Sequence, residues 1–449
     1  MSDRYATSTA TGLMADLAAR KVSAVELFET AVEHIERLDP PINAVVVRDF
    51  DRALEAAKAA DKALARGDRR PLLGLPMTVK EAHNVAGLPT TWGVEAFKDW
   101  IAPNDSVGVA RLKAAGAIIL GKTNVPPHLS DWQSDNPVYG RTNHPLDPKR
   151  TPGGSSGGGA AALAAGMVPL EFGSDIGGSI RVPAAFCGVC GHKPSFELIP
   201  QRGHAPPGLD GAGVDLTVVG PMARSVADLE LALSVLAGPD EDEAVGYRLQ
   251  APPPRHARLS DYRVLIVDSH PVAALDSEIR AALEDLARRL DAAGAEVARH
   301  SELLPDLAEA HAAYMALLLP IVTRGAPPRP DAASAHDWMH ALDVQWAFRR
   351  RWAALFREFD VVVAPAFGVV AFEHQTGDFE SRTHVIDGQV TPYGAQVAWP
   401  AIATLANLPA TSVPIGATKS GLPIGAQIIG PYLEDLTALG FAKLITDRN

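Results

Sequence analysis

Segments of helical period alternate with short apolar, β-branched runs along most of this chain. That alternation restricts the fold more than any other feature. Ser23 opens a capping-box string, Ser-Ala-Val-Glu, and Val25, Phe28, Val32 and Ile35 then recur at helical spacing, which predicts a helix over 23–38. Residues 42–47 are apolar and β-branched, as a short strand requires. The same reading predicts helices over 52–66, 106–115, 225–237, 276–293 and 341–358. It predicts strands over 75–79, 117–120, 263–268, 295–299 and 360–364. Helices interleaved with short apolar strands imply an α/β fold. The stretch 238–260 is linker-like and marks a possible boundary, although strands on both sides could join one sheet. Residues 325–334 are Pro-rich and read as a loop.

Composition removes several classes of function. The 449 residues carry a net charge of −12 with no long basic run, which argues against a nucleic-acid or anionic-membrane surface. The densest apolar run, 315–322, is eight residues long and contains Pro320, whereas a spanning helix needs roughly 20. Residues 1–20 lack the apolar block of a signal peptide, so a cytoplasmic location is expected. The two cysteines, Cys187 and Cys190, give no disulfide framework and no second pair to complete a zinc site, so they read as packed thiols.

Two strings imitate known motifs. Gly116 to Thr123 fits the spacing of a phosphate loop, but its middle residues are strand-like and Pro126 and Pro127 follow almost at once. It reads as a strand followed by a turn. Gly153-Gly154-Ser155-Ser156-Gly157 fits the nucleophile elbow of an α/β-hydrolase. The residues before it, Asp147 to Pro152, contain two prolines and cannot form the strand an elbow needs. An esterase of that type is a minor alternative.

Three other segments carry chemistry. Gly74 to Lys80 is an apolar strand ending in Lys80, in a chain with 11 Lys against 30 Arg. A Lys desolvated at such a strand end loses its proton more readily and can act as a base. The run Gly153 to Gly159 leads straight into an Ala/Leu helix, and its glycines permit tight turns and close approach. In Gly173 to Arg181, Gly pairs beside Ser179 allow consecutive N–H groups to aim at one point, as an oxyanion requires. His83 and His192 read as structural or pocket-lining.

These segments, in this order, resemble the amidase signature family, with the second Ser 24 residues after Ser155. Further strings at Ala86–Thr91, Gly121–Asn124, Ala184–Gly188, Gly220–Arg224 and Gly421–Pro431 are similar to family blocks, so the resemblance spans nearly the whole chain. It implies one domain over 1–449, with a signature core about 74–225, built on a twisted mixed β-sheet covered by helices on both faces. It implies a Ser179 nucleophile, with Ser155, preceded by a cis peptide bond, bridging it to the base Lys80. The oxyanion hole would be the N–H groups of Ile176, Gly177, Gly178 and Ser179. Ser156, Ser174, Asp175 and Arg181 would support the loop. Lys80 is followed by Glu81-Ala82-His83 where family members often have Asp-Asn, a departure that bears on local support.

A Ser hydroxyl needs a base to attack, and this one would form an acyl-enzyme without metal or cofactor. His83, Trp132 and Tyr139 are candidate pocket residues, with Tyr314, Trp338 and Trp346 as further aromatics. They favour a small amide with apolar or aryl groups, and the same machinery can cleave aryl carbamates (urethanes) and esters. The expected partner is a small-molecule substrate, on a monomer or homodimer. Two rivals are a glutamine-hydrolysing subunit of a tRNA-dependent amidotransferase and an inactive binding module.

Overall fold

A computed structural model of the chain describes residues 2–209, 213–324 and 332–447. Among the described residues, eleven strands form one mixed sheet flanked by helices. In chain order they are β1 (Val45–Arg48), β2 (Pro76–Lys80), β3 (Ile118–Thr123), β4 (Leu170–Asp175), β5 (Cys190–Lys193), β6 (Val218–Ala223), β7 (Arg263–Ile266), β8 (Glu296–Ala298), β9 (Val361–Pro365), β10 (Ala410–Ala417) and β11 (Pro423–Ile429). Across the sheet the order is β1-β3-β2-β4-β6-β5-β10-β11-β9-β7-β8. β2 runs parallel to β3 and β4, and β7 runs parallel to β8 and β9. β2, β3, β4, β6 and β9 are buried along their whole length, as strands covered on both faces must be. β6 and β7 lie on either side of 238–260 and share this sheet, so that stretch does not divide it.

The helix predicted over 23–38 runs Ala24–Leu38, and Ser23 and Glu26 form the expected capping box. Other boundaries moved for physical reasons. β3 continues through Gly121-Lys122-Thr123 instead of turning after 120. A Cβ on Gly121 would lie 2.1 Å from the Val47 carbonyl oxygen, so Gly lets β1 come close. Lys122 is buried and donates to Thr90 Oγ1 at 2.8 Å and to the Pro89 carbonyl, so no helix starts there to hold a phosphate.

The helix expected over 341–358 occupies Ala335–Leu355. Ser334 and Asp337 cap its start, a signal hidden beside the Pro-rich run, of which 325–331 lie outside the described residues. Its end is set by Arg255, which donates to the carbonyls of Phe356 and Phe359 just before β9. The apolar run at 315–322 belongs to a helix, Leu307–Val322, with Pro320 in its last turn.

The helix Gly157–Ala164 packs across β2, β3 and β4 and starts directly after Ser155 and Ser156. A Cβ on Gly158 would sit 2.3 Å from the Asn124 backbone nitrogen and 2.8 Å from the Ala44 carbonyl oxygen. Backbone cannot yield as a side-chain tip can. Gly158→Ala should therefore destabilise the protein by about 2 kcal/mol or more, although Ala is the better helix former by about 1 kcal/mol. A urea midpoint equal to or above wild type would show that this helix does not touch the sheet as described.

Candidate active site

Parallel β2 and β4 deliver Lys80 and the pair Ser174-Asp175 to the same edge of the sheet. Lys80 is fully buried. Its Nζ donates to Ser155 Oγ at 2.7 Å, to Ser174 Oγ at 2.9 Å and to the Ser174 carbonyl at 3.3 Å. Burial brings its ammonium down to about 7, against the pull of the Asp175 and Glu171 charges. The Gly154–Ser155 peptide is cis. The Ser156 N–H donates to the Ser179 carbonyl at 3.1 Å, which draws the glycine-rich turn against the second loop. Ser156 Oγ donates to the Ser174 carbonyl at 3.3 Å.

The loop from 176 to 179 is held through its carbonyls. Tyr314 donates its hydroxyl to the Ile176 carbonyl and Trp132 its indole N–H to the Gly177 carbonyl, each at 3.0 Å. The Val182 N–H donates to the Gly178 carbonyl at 2.7 Å. With every carbonyl engaged, the N–H groups of Ile176, Gly177 and Ser179 have no acceptor among the described residues. Gly178 differs from the expectation: its N–H already donates to Asp175 Oδ1 at 2.9 Å, which takes it out of the donor set.

Asp175 and Arg181 form a fully buried ion pair, with Arg181 Nη2 to Oδ1 at 2.8 Å and Nε to Oδ2 at 3.0 Å. Burial alone would raise the Asp175 carboxyl. The guanidinium outweighs it and holds the carboxyl well below the usual carboxylate range. Arg181 also donates to Pro400 O, Gln427 Oε1 and Thr404 Oγ1, so five acceptor contacts fix it.

Ser155, Ser174, Ser179, Ile176 and Gly177 open on a cavity of about 1590 Å³. Ser155 and Ser179 both line it, and no hydrogen bond joins their hydroxyls among the described residues. Trp132 and Tyr314 line the wall. His83 and Tyr139 lie behind it. The His83 ring stacks on Phe172 with centroids 4.2 Å apart, and Tyr139 donates to Glu81 Oε1 at 3.2 Å. Trp338 and Trp346 are also off the wall; Trp346 is exposed beneath the Arg349 guanidinium. Glu81, the departure beside Lys80, accepts the N–H groups of Thr91 and Trp92 and so supports the wall through Trp92. His192 contacts Thr411 and Asp435 and is structural. Cys187 and Cys190 are free and buried, and burial pushes both thiols up. Among the described residues no strand leads directly into Ser155, which removes the hydrolase-elbow alternative.

The Amidase family model matches residues 26–320 and 315–439. A Mycobacterium bovis chain named as an amidase, AmiB2, is 36% identical, over 96% of this chain and 93% of its own length. A glutamyl-tRNA(Gln) amidotransferase chain from Roseiflexus castenholzii is 33% identical, over 94% of this chain and 92% of its own. A solved bacterial aryl acylamidase of the amidase signature family has a TM-score of 0.82 at 25% identity, covering 98% of this chain and 96% of that one.

Arg181→Met should lower stability by about 3–5 kcal/mol at neutral pH, because it strands the Asp175 charge in the interior. An unfolded Asp titrates near 3.9, and the folded carboxyl lies lower. The stability it supplies is therefore complete above that range and lost as pH falls towards the folded value. The deficit of Arg181→Met should narrow on acidification. Denaturation midpoints between pH 7 and pH 3 that run parallel to wild type would refute this account.

Proposed function

The chain belongs to the amidase signature family of C–N hydrolases, and from that premise we propose that it cleaves small amides with apolar or aryl groups through an acyl-enzyme on Ser179. Neutral Lys80 takes the Ser179 proton by way of Ser155. The Ser155–Ser179 link closes when substrate fills the cavity, as catalytic hydrogen bonds often tighten only in the complex. The oxyanion is received by the N–H groups of Ile176, Gly177 and Ser179, while Gly178 and Asp175 hold the loop in shape. Proton return through Ser155 releases the amine, and water then cleaves the acyl-enzyme.

The observation that carries this reading is the buried Lys80–Ser155–Ser174 network, whose serines line the same cavity as Ser179. The cavity supports the apolar preference. His311, Tyr314, Met315, Leu318, Leu319 and Val322 recur at helical spacing along one face of the Leu307–Val322 helix and line it. Aryl carbamates and esters place the same carbonyl at Ser179 and are further proposed substrates. The enzyme works as a single domain, as monomer or homodimer.

A glutamine-hydrolysing role within an amidotransferase is the second reading, favoured by the similarity to the Roseiflexus chain. A panel of aryl amides, alkyl amides, aryl carbamates, esters and glutamine separates the two. Aryl amides should be cleaved fastest, and cleavage of glutamine alone would give the second reading precedence.

Ser179→Ala should abolish turnover of that panel while the protein stays folded. Substantial amide hydrolysis by the folded variant would remove Ser179 as nucleophile. The pH profile tests the base. Because Lys80 titrates at about 7 when buried and must be neutral, kcat/KM should rise through that region and level off above it. Lys80→Ala and Lys80→Arg should both remove most activity and the limb, since a guanidinium does not deprotonate. Persistence of the same limb in Lys80→Ala would eliminate Lys80 as base.

A further inference from the structure

A second ionisable group lies under Lys80 that the mechanism above does not use. Glu171, the second residue of β4, is fully buried. It pairs in register with Thr78 of β2. Its Oε2 accepts from Thr78 Oγ1, and its Oε1 accepts from Thr123 Oγ1 of β3 at 2.7 Å. The helix that packs above it offers only Gly159 there: a Cβ at 159 would lie 2.5 Å from Glu171 Cγ and 2.7 Å from Oε1. Three strands and a missing side chain thus build a compartment for one carboxyl group.

The other buried carboxyls near this edge have strong partners. Asp175 is paired with Arg181, and Glu81 accepts two backbone N–H groups. Glu171 has two hydroxyls and no cation in hydrogen-bond contact. Its charge is instead felt by Lys80, and the Lys80 charge by it. A carboxyl so placed serves poorly as a stabilising ion pair. We propose that Glu171 is a positioning residue whose charge acts on Lys80 and thereby helps to set the pH range of the reaction.

Burial raises the Glu171 carboxyl to about 7, against the two Thr hydrogen bonds and the Lys80 charge. Lys80 and Glu171 therefore titrate over the same range and behave as a pair. Of the other charged or titratable neighbours, Asp175 pulls on Lys80 in the same direction as Glu171 and more strongly. Asp175 is matched by Arg181, and burial holds His83 and His204 neutral. Lys122 acts on His83 and Lys193 on Asp175.

The inference rests on the reading of Lys80 as base, and the experiment separates the two. The pH dependence of kcat/KM is measured on an aryl amide for wild type, Lys80→Ala, Glu171→Gln and Thr123→Val. Glu171→Gln keeps the shape and removes the charge, so its limb should move to lower pH by on the order of one unit. Thr123→Val keeps the charge but withdraws one donor from it, and should move the limb the same way by less. If Glu171→Gln does not fold, Thr123→Val decides. A limb that stays in place, or moves to higher pH, overturns the role of Glu171 while leaving Lys80 as base. A wild-type limb that survives Lys80→Ala overturns both.

Discussion

Arg181 ties the loop after β4 to the far half of the sheet, and the arrangement of the site depends on that contact. Its guanidinium grips both oxygens of Asp175 and also reaches Pro400, Thr404 and Gln427. Asp175 in turn accepts the N–H groups of Gly178, Ile180 and Arg181. The loop is thereby folded around a buried carboxylate rather than around its own backbone. Tyr314 and Trp132 then pin its outer carbonyls. The N–H groups of Ile176, Gly177 and Ser179 are left without an acceptor among the described residues.

Among the described residues Lys80, Lys122 and Lys193 all bury their ammonium groups, and none of the three lines the cavity itself. Lys80 and Lys193 are brought down to about 7 and Lys122 to about 8, each mainly by desolvation. Lys122 is used up on Thr90 and the Pro89 carbonyl, and Lys193 on the Pro194 carbonyl at 2.9 Å. Lys80 alone of the three meets serine hydroxyls that open on the cavity. A desolvated lysine is thus a property of the fold, and what it touches is a property of its neighbours.

Much of the architecture was legible in one dimension. Helices with a clear apolar stripe and a cap, such as Ala24–Leu38, ended within a residue of their expected limits. Strands with β-branched residues, such as β2 and β9, did so too. Misjudged boundaries followed tertiary contacts. Gly121 remained in a strand because β1 approaches it, and the helix ending at Leu355 stopped short because Arg255 takes up the carbonyls beyond. The helix Leu307–Val322 was missed because its cavity-facing apolar stripe runs into Pro320 and hides its period.

What the sequence determined by itself is a set of candidate groups and their local setting: a lysine ending an apolar strand, and serines among glycines. Residue type and short-range spacing decide those properties, so they can be read along the chain. Which aromatics meet the cavity was decided only by tertiary structure. Trp132 and Tyr314 line it, while His83 and Tyr139 stand behind it. Tertiary structure also withdrew the Gly178 N–H and set Glu171 beneath Lys80. Those outcomes depend on which strands become neighbours and on how far a carboxyl is removed from water. Both are set by contacts between residues distant in sequence, which no local pattern encodes.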